Sequence, residues 1–169
     1  MHLVCGVKTH IVTGVEITRA TKHESPLYPD LLKQTAKAGF TMHEVSADKG
    51  YISQKNLQAT VDMGATPFIP FRVNVQPDRG TDLWSKMFFY YNFKRDEFFA
   101  HYHKRSNVET AFSMIKAKFG ERLRSKTATA QVNEALCKVL CHNICCLIQS
   151  IFELGIEPTF WATEAQTHE

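Results

Sequence analysis

The sequence has no uninterrupted run of about 18 or more apolar residues, and its opening Met1-His2-Leu3 lacks a basic region followed by a long apolar stretch. Neither a membrane span nor a signal peptide is therefore expected. Paired CxxC spacing is absent as well. The five cysteines, four of them crowded between Cys137 and Cys146, do not make the framework of a disulfide-stapled secreted domain and fit a reducing cytosol. Net charge is low, +3, and by itself implies no polyanionic partner. No internal repeat, low-complexity tract or linker divides the chain. One domain over residues 1–154, followed by a tail over 155–169, is expected.

What is present suits a globular protein. A 169-residue chain that is 44% hydrophobic, with twelve Phe, carries enough apolar surface for one core and too much for disorder. Val, Ile and Thr dominate the first twenty residues, which predicts strands at Leu3–Val7 and Ile11–Ala20 joined as a hairpin. Beyond Pro26 and Pro29, Leu27, Leu31, Leu32, Thr35 and Ala36 recur near helical spacing up to a stop at Gly39. Met42–Ala47 reads as a strand that delivers Asp48 into a turn. Ser53 is placed to cap a helix running through Met63 to Gly64, and Thr66–Phe71, with Pro67 and Pro70, reads as an edge strand. The order ββαβαβ implies a mixed sheet covered by helices, an α/β architecture.

After the turn-rich loop at Gln76–Gly80 no strand is expected. Thr81 or Asp82 can cap a helix through the aromatic stretch from Trp84 to Phe99. A second helix is predicted from about His101 to Phe119, and a third from Ala128 to Glu153, broken by Gly155 and Pro158. On this last helix Cys137, Cys141 and Cys145 recur every four residues beside His142. A metal site is formally open there, but small apolar residues on a buried helix face account for the same pattern. His23, Glu24 and His43 read as surface and turn residues.

The most informative pattern is Tyr102-x2-Arg105-x3-Glu109-x6-Lys116. At about 100° per residue on one continuous helix, these four side chains fall within roughly a 60° sector. Val108, Phe112, Ile115 and Phe119 occupy the neighbouring sector, which can pack on a sheet. Between Lys104 and Lys126 seven basic residues (Lys104, Arg105, Lys116, Lys118, Arg122, Arg124, Lys126) stand against two acidic ones, Glu109 and Glu121. A phosphate-binding surface and a solvated helix face both fit that excess.

The pattern of Tyr102, Arg105, Glu109 and Lys116 resembles the signature around the last acidic residue of insertion-sequence transposases of the DDE type. Ser46-Ala-Asp-Lys-Gly-Tyr51, followed by a helix, Gly64 and Thr66-Pro-Phe-Ile-Pro70, is similar to the surroundings of that family's second aspartate. His2–His10 resembles the strand after the first aspartate. The resemblance extends to about Gln149. It implies a ribonuclease H-like fold with a C-terminal helical portion, and metal-dependent cleavage and transfer of DNA strands. Asp48 and Glu109 would be catalytic carboxylates and ligands of Mg²⁺ or Mn²⁺, whose preference is for hard oxygen donors. Arg105 and Lys116 would face phosphates beside the scissile bond, with Tyr102 near the same backbone. Lys104, Lys118, Arg122 and Arg124 would extend the phosphate track.

The sequence departs from the family at its start. The first aspartate is expected on a strand upstream of His2, so the chain reads as a C-terminal fragment of the catalytic domain, inactive alone. Asp30, Asp62, Asp78, Asp82 and Asp96 lie downstream of the position it would take, and Glu16 is out of order. Without that first strand a central gap would expose two strand edges, open to pairing with another chain. Expected partners are DNA, a second copy, and an upstream transposase segment. The expected location is the cytoplasm, at the nucleoid.

Overall fold

The computed structural model describes residues 1–18, 25–77 and 80–155. His23, Glu24, Asp78, the expected strand end at Ala20 and the tail beyond Gly155 lie outside them. Among these residues four strands and six α-helices follow in the order β1 (His2–Cys5), β2 (Val12–Glu16), α1 (Tyr28–Lys37), β3 (Glu44–Ser46), α2 (Gln54–Asp62), β4 (Thr66–Phe68), α3 (Asp82–Phe93), α4 (Arg95–Tyr102), α5 (Ser106–Phe119) and α6 (Ala128–Leu154). The ββαβαβ order and the all-helical second half match the sequence reading.

Local chemistry sets most boundaries. Ser53 accepts a hydrogen bond from the Asn56 amide at the start of α2, Thr81 does the same for Trp84 at α3, and Thr127 for Ala130 at α6. Each side chain satisfies one of the donors that a helix start leaves without an intrahelical partner. Behind α2 the chain turns away through Gly64 at φ +77°, a left-handed conformation that favours glycine.

The helices expected over 81–99 and 101–119 are divided differently. Lys94, at φ −118° and ψ 48°, breaks the aromatic stretch into α3 and α4. The break lets both helices pack aromatic side chains on one point. Phe98 is fully buried and meets Phe68, Tyr90 and Tyr91 edge-on or tilted, with ring centroids 5.1 to 5.9 Å apart. A second interruption, a 3₁₀ turn at His103–Arg105, separates α4 from α5. There Ser106 Oγ donates to the His103 carbonyl and Asn107 Nδ2 to the Lys104 carbonyl, so side chains compete for helix acceptors and tighten the backbone.

Among the described residues the strands do not form one sheet. β1 pairs antiparallel with β2, and β3 pairs parallel with β4, as two separate two-stranded sheets. The hairpin lies between helices. On its Gly14 face β2 approaches α1 so closely that a Cβ on Gly14 would stand 2.7 Å from the Leu31 carbonyl oxygen. On the opposite face Leu3 and Val12 pack with Ile115 of α5 and Val139 of α6. The larger core, around Phe98, Phe68, Ile69, Leu57 and Leu32, joins β4 to α1–α4.

Between β1 and β3 runs an open groove of about 730 Å³, walled along one side by Met1–Thr9 and along the other by Phe40–Asp48. The sequence reading expects such a gap between two strand edges.

α6 bears on the expectation of no membrane span by its length and composition alone. Although no uninterrupted apolar run occurs, this 27-residue helix is long and apolar enough to cross a membrane. Here it is attached to the hairpin by polar bonds. Asn143 accepts from the Val12 amide and donates to the Val12 carbonyl, both at 2.8 Å, while buried His142 donates to the His10 carbonyl at 3.0 Å. The cysteine face also differs from expectation. Cys146 is buried, whereas Cys137 and Cys141 are exposed, because the buried stripe of α6 runs through Val139, His142 and Cys146.

Candidate active site

Asp48 follows β3 and caps a 3₁₀ turn at Lys49–Tyr51. Its Oδ1 accepts from the Lys49 amide at 2.7 Å. Its Oδ2 lies 3.9 Å from Nη1 of Arg105. The other guanidinium nitrogen, Nη2, is 2.9 Å from Oε1 of Glu109 in the first turn of α5. One cation therefore stands between two carboxylates from distant parts of the sequence. Their side chains are 51% and 64% exposed, against 32% for Arg105, so each ion pair is worth about 1 kcal/mol or less to folding. The site is held by other contacts.

Those contacts come from β3 and the end of α4. Glu44 receives hydrogen bonds from both His101 and Lys104. The His101 ring stacks on Phe68 of β4, 4.4 Å between centroids and 8° from parallel. Ser46 Oγ donates to the His101 carbonyl at 3.0 Å. Burial opposes ionisation of Glu44, but the bonds from Lys104 and His101 outweigh it and hold the carboxyl below its ordinary range. This clamp fixes the 3₁₀ turn against the C-terminal end of β3, which brings Arg105 to Asp48.

Tyr102 supplies a shelf beneath the guanidinium. Its ring packs edge-on against Phe99, and Arg105 lies 5.7 Å from the Tyr102 centroid. Partial burial tends to lower the Arg105 pKa, yet Tyr102, Asp48 and Glu109 together raise it above its ordinary value. Arg105 stays charged throughout the accessible pH range.

Tyr102, Arg105 and Glu109 thus come together although they do not share one helix: Tyr102 ends α4, Arg105 is in the 3₁₀ turn and Glu109 is on α5. The continuous helix face expected from the spacing is replaced by a tight right-handed corner. Lys116, near the far end of α5, pairs with Glu121 at 3.1 Å. Lys104 is engaged by Glu44. Lys118, Arg122 and Arg124 are exposed and make no ion pair among the described residues. The loop carrying the two arginines is held from α6. Glu134 accepts from the amides of Arg124 and Ser125 at 2.8 to 3.0 Å, and Lys138 donates to the carbonyls of Gly120 and Arg122.

Sequence reasoning missed Glu44, His101, Glu134 and Lys138. Glu134 and Lys138 are visible as an i,i+4 pair, but their capture of the preceding loop has no local signal. Glu44 and His101 carry none at all.

A profile of the transposase DDE domain matches residues 1–144. The chain belongs to the transposase DDE domain family. No curated protein and no solved structure matches it. The family is one of DNA transposition and recombination, generally dependent on a divalent metal, and its substrate is DNA. In this transposase domain no group of three or more His, Cys, Asp or Glu side chains gathers as a metal site among the described residues. Asp48 and Glu109 provide hard oxygen donors of the kind Mg²⁺ or Mn²⁺ takes. Their exposure leaves space for the several waters that Mg²⁺ keeps. The donor chemistry fits a divalent ion, provided that Arg105 yields its hold on the carboxylates.

Proposed function

We propose that this chain forms the part of a DDE transposase catalytic domain that carries its second and third carboxylates, Asp48 and Glu109, within a ribonuclease H-like arrangement. The observation that carries the reading is the meeting of these two side chains on Arg105, with the family match spanning both. When bound, a divalent ion would supply the charge that activates an attacking hydroxyl and stabilises the departing oxygen of a phosphodiester. Asp48 and Glu109 would hold it. Arg105, kept charged and seated on Tyr102, would bind a phosphate oxygen beside the site by a bidentate contact. Lys118, Arg122 and Arg124 would track the DNA backbone, and Lys104 and Lys116 would join them on releasing Glu44 and Glu121. Such contacts set position and carry no sequence preference.

Two carboxylates where the family uses three leave the chain inactive alone in this reading. The intact enzyme would act in the cytoplasm at the nucleoid, as a dimer or paired with an upstream transposase segment. A second reading has one observation in its favour. The loop bearing Arg122 and Arg124 is held open to solvent by Glu134 and Lys138, which suits a non-enzymatic DNA-binding remnant.

The test combines Mn²⁺ binding by paramagnetic relaxation with nicking of supercoiled plasmid. Expected for the folded chain is weak Mn²⁺ binding, lost in Asp48→Asn and Glu109→Gln, without nicking. Binding unchanged by both substitutions would remove the metal assignment. Nicking lost in Glu109→Gln would show that another group completes the site. DNA binding with no metal site would favour the remnant.

A further inference from the structure

We infer that the surface running from Tyr91 through Arg95, Phe99, His103 and Tyr102 to Arg105 binds an unpaired DNA strand by stacking on its bases and leads that strand to Asp48 and Glu109, a role that rests on the reading of those two carboxylates as catalytic.

The tract is built from rings and cations in contact. Arg95 opens α4 with its guanidinium carbon 5.5 Å from the Tyr91 ring centroid and 5.3 Å from that of Phe99. Phe99 in turn stands 5.5 Å from the Tyr102 ring and 5.6 Å from that of His103. Arg105 lies over Tyr102 at 5.7 Å. The series is therefore continuous from the last turn of α3 to the guanidinium that holds both carboxylates. Sequence spacing produces it. Arg95, Phe99 and His103 recur every four residues along α4 and the 3₁₀ turn that follows, and side chains four apart on a helix lie one above the other.

Core packing does not account for all of this placement. Tyr91, Phe99 and Tyr102 are half-buried and pack against the larger core, but Arg95 and His103 are exposed. Arg95 makes no ion pair among the described residues, although Asp96 and Glu97 follow it directly in sequence. Glu97 is turned to the Tyr90 hydroxyl, which donates to it at 3.0 Å. The Arg95 guanidinium is held by ring faces instead, and stays available as a cation.

The chemistry of the surface selects the occupant. Arginines attract a polyanion, while aromatic rings and guanidinium planes stack on flat bases. In a duplex the base faces are closed by stacking on one another, so the cations could act on it but the rings could not. A strand with free base faces engages both. The rings offer stacking for about two or three bases. Continuity with Arg105 sets where such a strand leads: bases resting on Phe99 and His103 would bring the adjoining backbone to the guanidinium beside Asp48 and Glu109.

The experiment uses the full chain in EDTA, so loss of the metal assignment leaves the tract standing, and failure of the tract leaves the carboxylates. A fluorescent oligothymidylate is titrated and followed by anisotropy, beside a duplex of the same length, the same strand with its central bases removed, and polyglutamate as a competitor. Expected are tighter binding of the unpaired strand than of the duplex, and about tenfold weaker binding of the abasic strand, which keeps every phosphate and loses the stacking faces. Arg95→Lys keeps the charge without the plane, and Phe99→Leu keeps apolar contact with the core without the ring. Each should weaken binding of the unpaired strand about fivefold or more and leave duplex binding within about twofold. A strand carrying iodouracil, irradiated in the complex, should crosslink to Phe99, Tyr102 or His103. That readout needs no substitution and stands even if a variant does not fold. Equal binding of intact and abasic strands, equal losses for strand and duplex in both variants, crosslinks confined to Lys118, Arg122 and Arg124, displacement by polyglutamate as readily as by unlabelled strand, or no binding by the folded chain would each overturn the proposal.

Discussion

At Arg105 a single guanidinium sits where a divalent ion would also be attracted, between Asp48 and Glu109. Cation and metal compete for the same oxygens. Arg105→Ala should therefore tighten Mn²⁺ binding to the isolated chain, change stability by about 1 kcal/mol or less, and weaken DNA binding with a shallower salt dependence. Weaker Mn²⁺ binding in this variant would mean that Arg105 organises the carboxylates instead of competing. Asn143 poses the opposite case, a residue with no part in chemistry and a large part in the fold. Its amide satisfies both backbone groups of Val12. Asn143→Ala leaves a partly buried donor and acceptor unmet, and a loss of about 2 kcal/mol is expected from urea unfolding.

Among the elements, the loop from Gly120 to Lys126 depends on α6 for its shape. Backbone hydrogen bonds from Ser125 and Arg124, with Lys138 nearby, depress the Glu134 pKa to about 2. The unfolded value is about 4.3. A depressed carboxylate contributes stability above its unfolded pKa, and that contribution is lost as pH falls through the folded one. The difference in melting temperature between the chain and Glu134→Gln should be constant above about pH 5 and shrink between about pH 4.3 and pH 2. DNA binding at neutral pH should fall in the same variant if the loop presents Arg122 and Arg124. A pH-independent difference would mean that Glu134 does not ionise in contact with the loop amides.

Across the whole molecule the apolar interior is divided into two clusters, one around Phe98 and one around Leu3, Val12, Ile115 and Val139, with the groove between β1 and β3 at their junction. Phe98→Ala should cost about 3–5 kcal/mol through lost burial and a residual cavity. Hydrogen exchange should rise first in β3, β4, α3 and α4, and less in the hairpin and α6. A uniform rise would show one cooperative unit despite the divided core. The two sheets share α1, which packs on the hairpin and in the larger core, and no described strand joins them.

The sequence by itself determined where most elements begin and end, because those decisions are made within a few residues. Ser53 and Thr81 mark helix starts through their own hydroxyls, Gly64 ends α2 through its backbone freedom, and alternation of Val and Thr marks the hairpin. It also paired Asp48 and Glu109 as candidates through the resemblance of their surroundings to the family's motifs. Tertiary packing decided the rest. The break at Lys94 carries no Gly or Pro and follows from aromatic rings converging on Phe98. The 3₁₀ corner at His103–Arg105 follows from competition by Ser106 and Asn107 and from the clamp of Glu44 on His101 and Lys104. That clamp spans distant segments, so no local window contains it. Which basic side chains are free was likewise decided by partners far along the chain, since a charge is neutralised by what folding brings beside it.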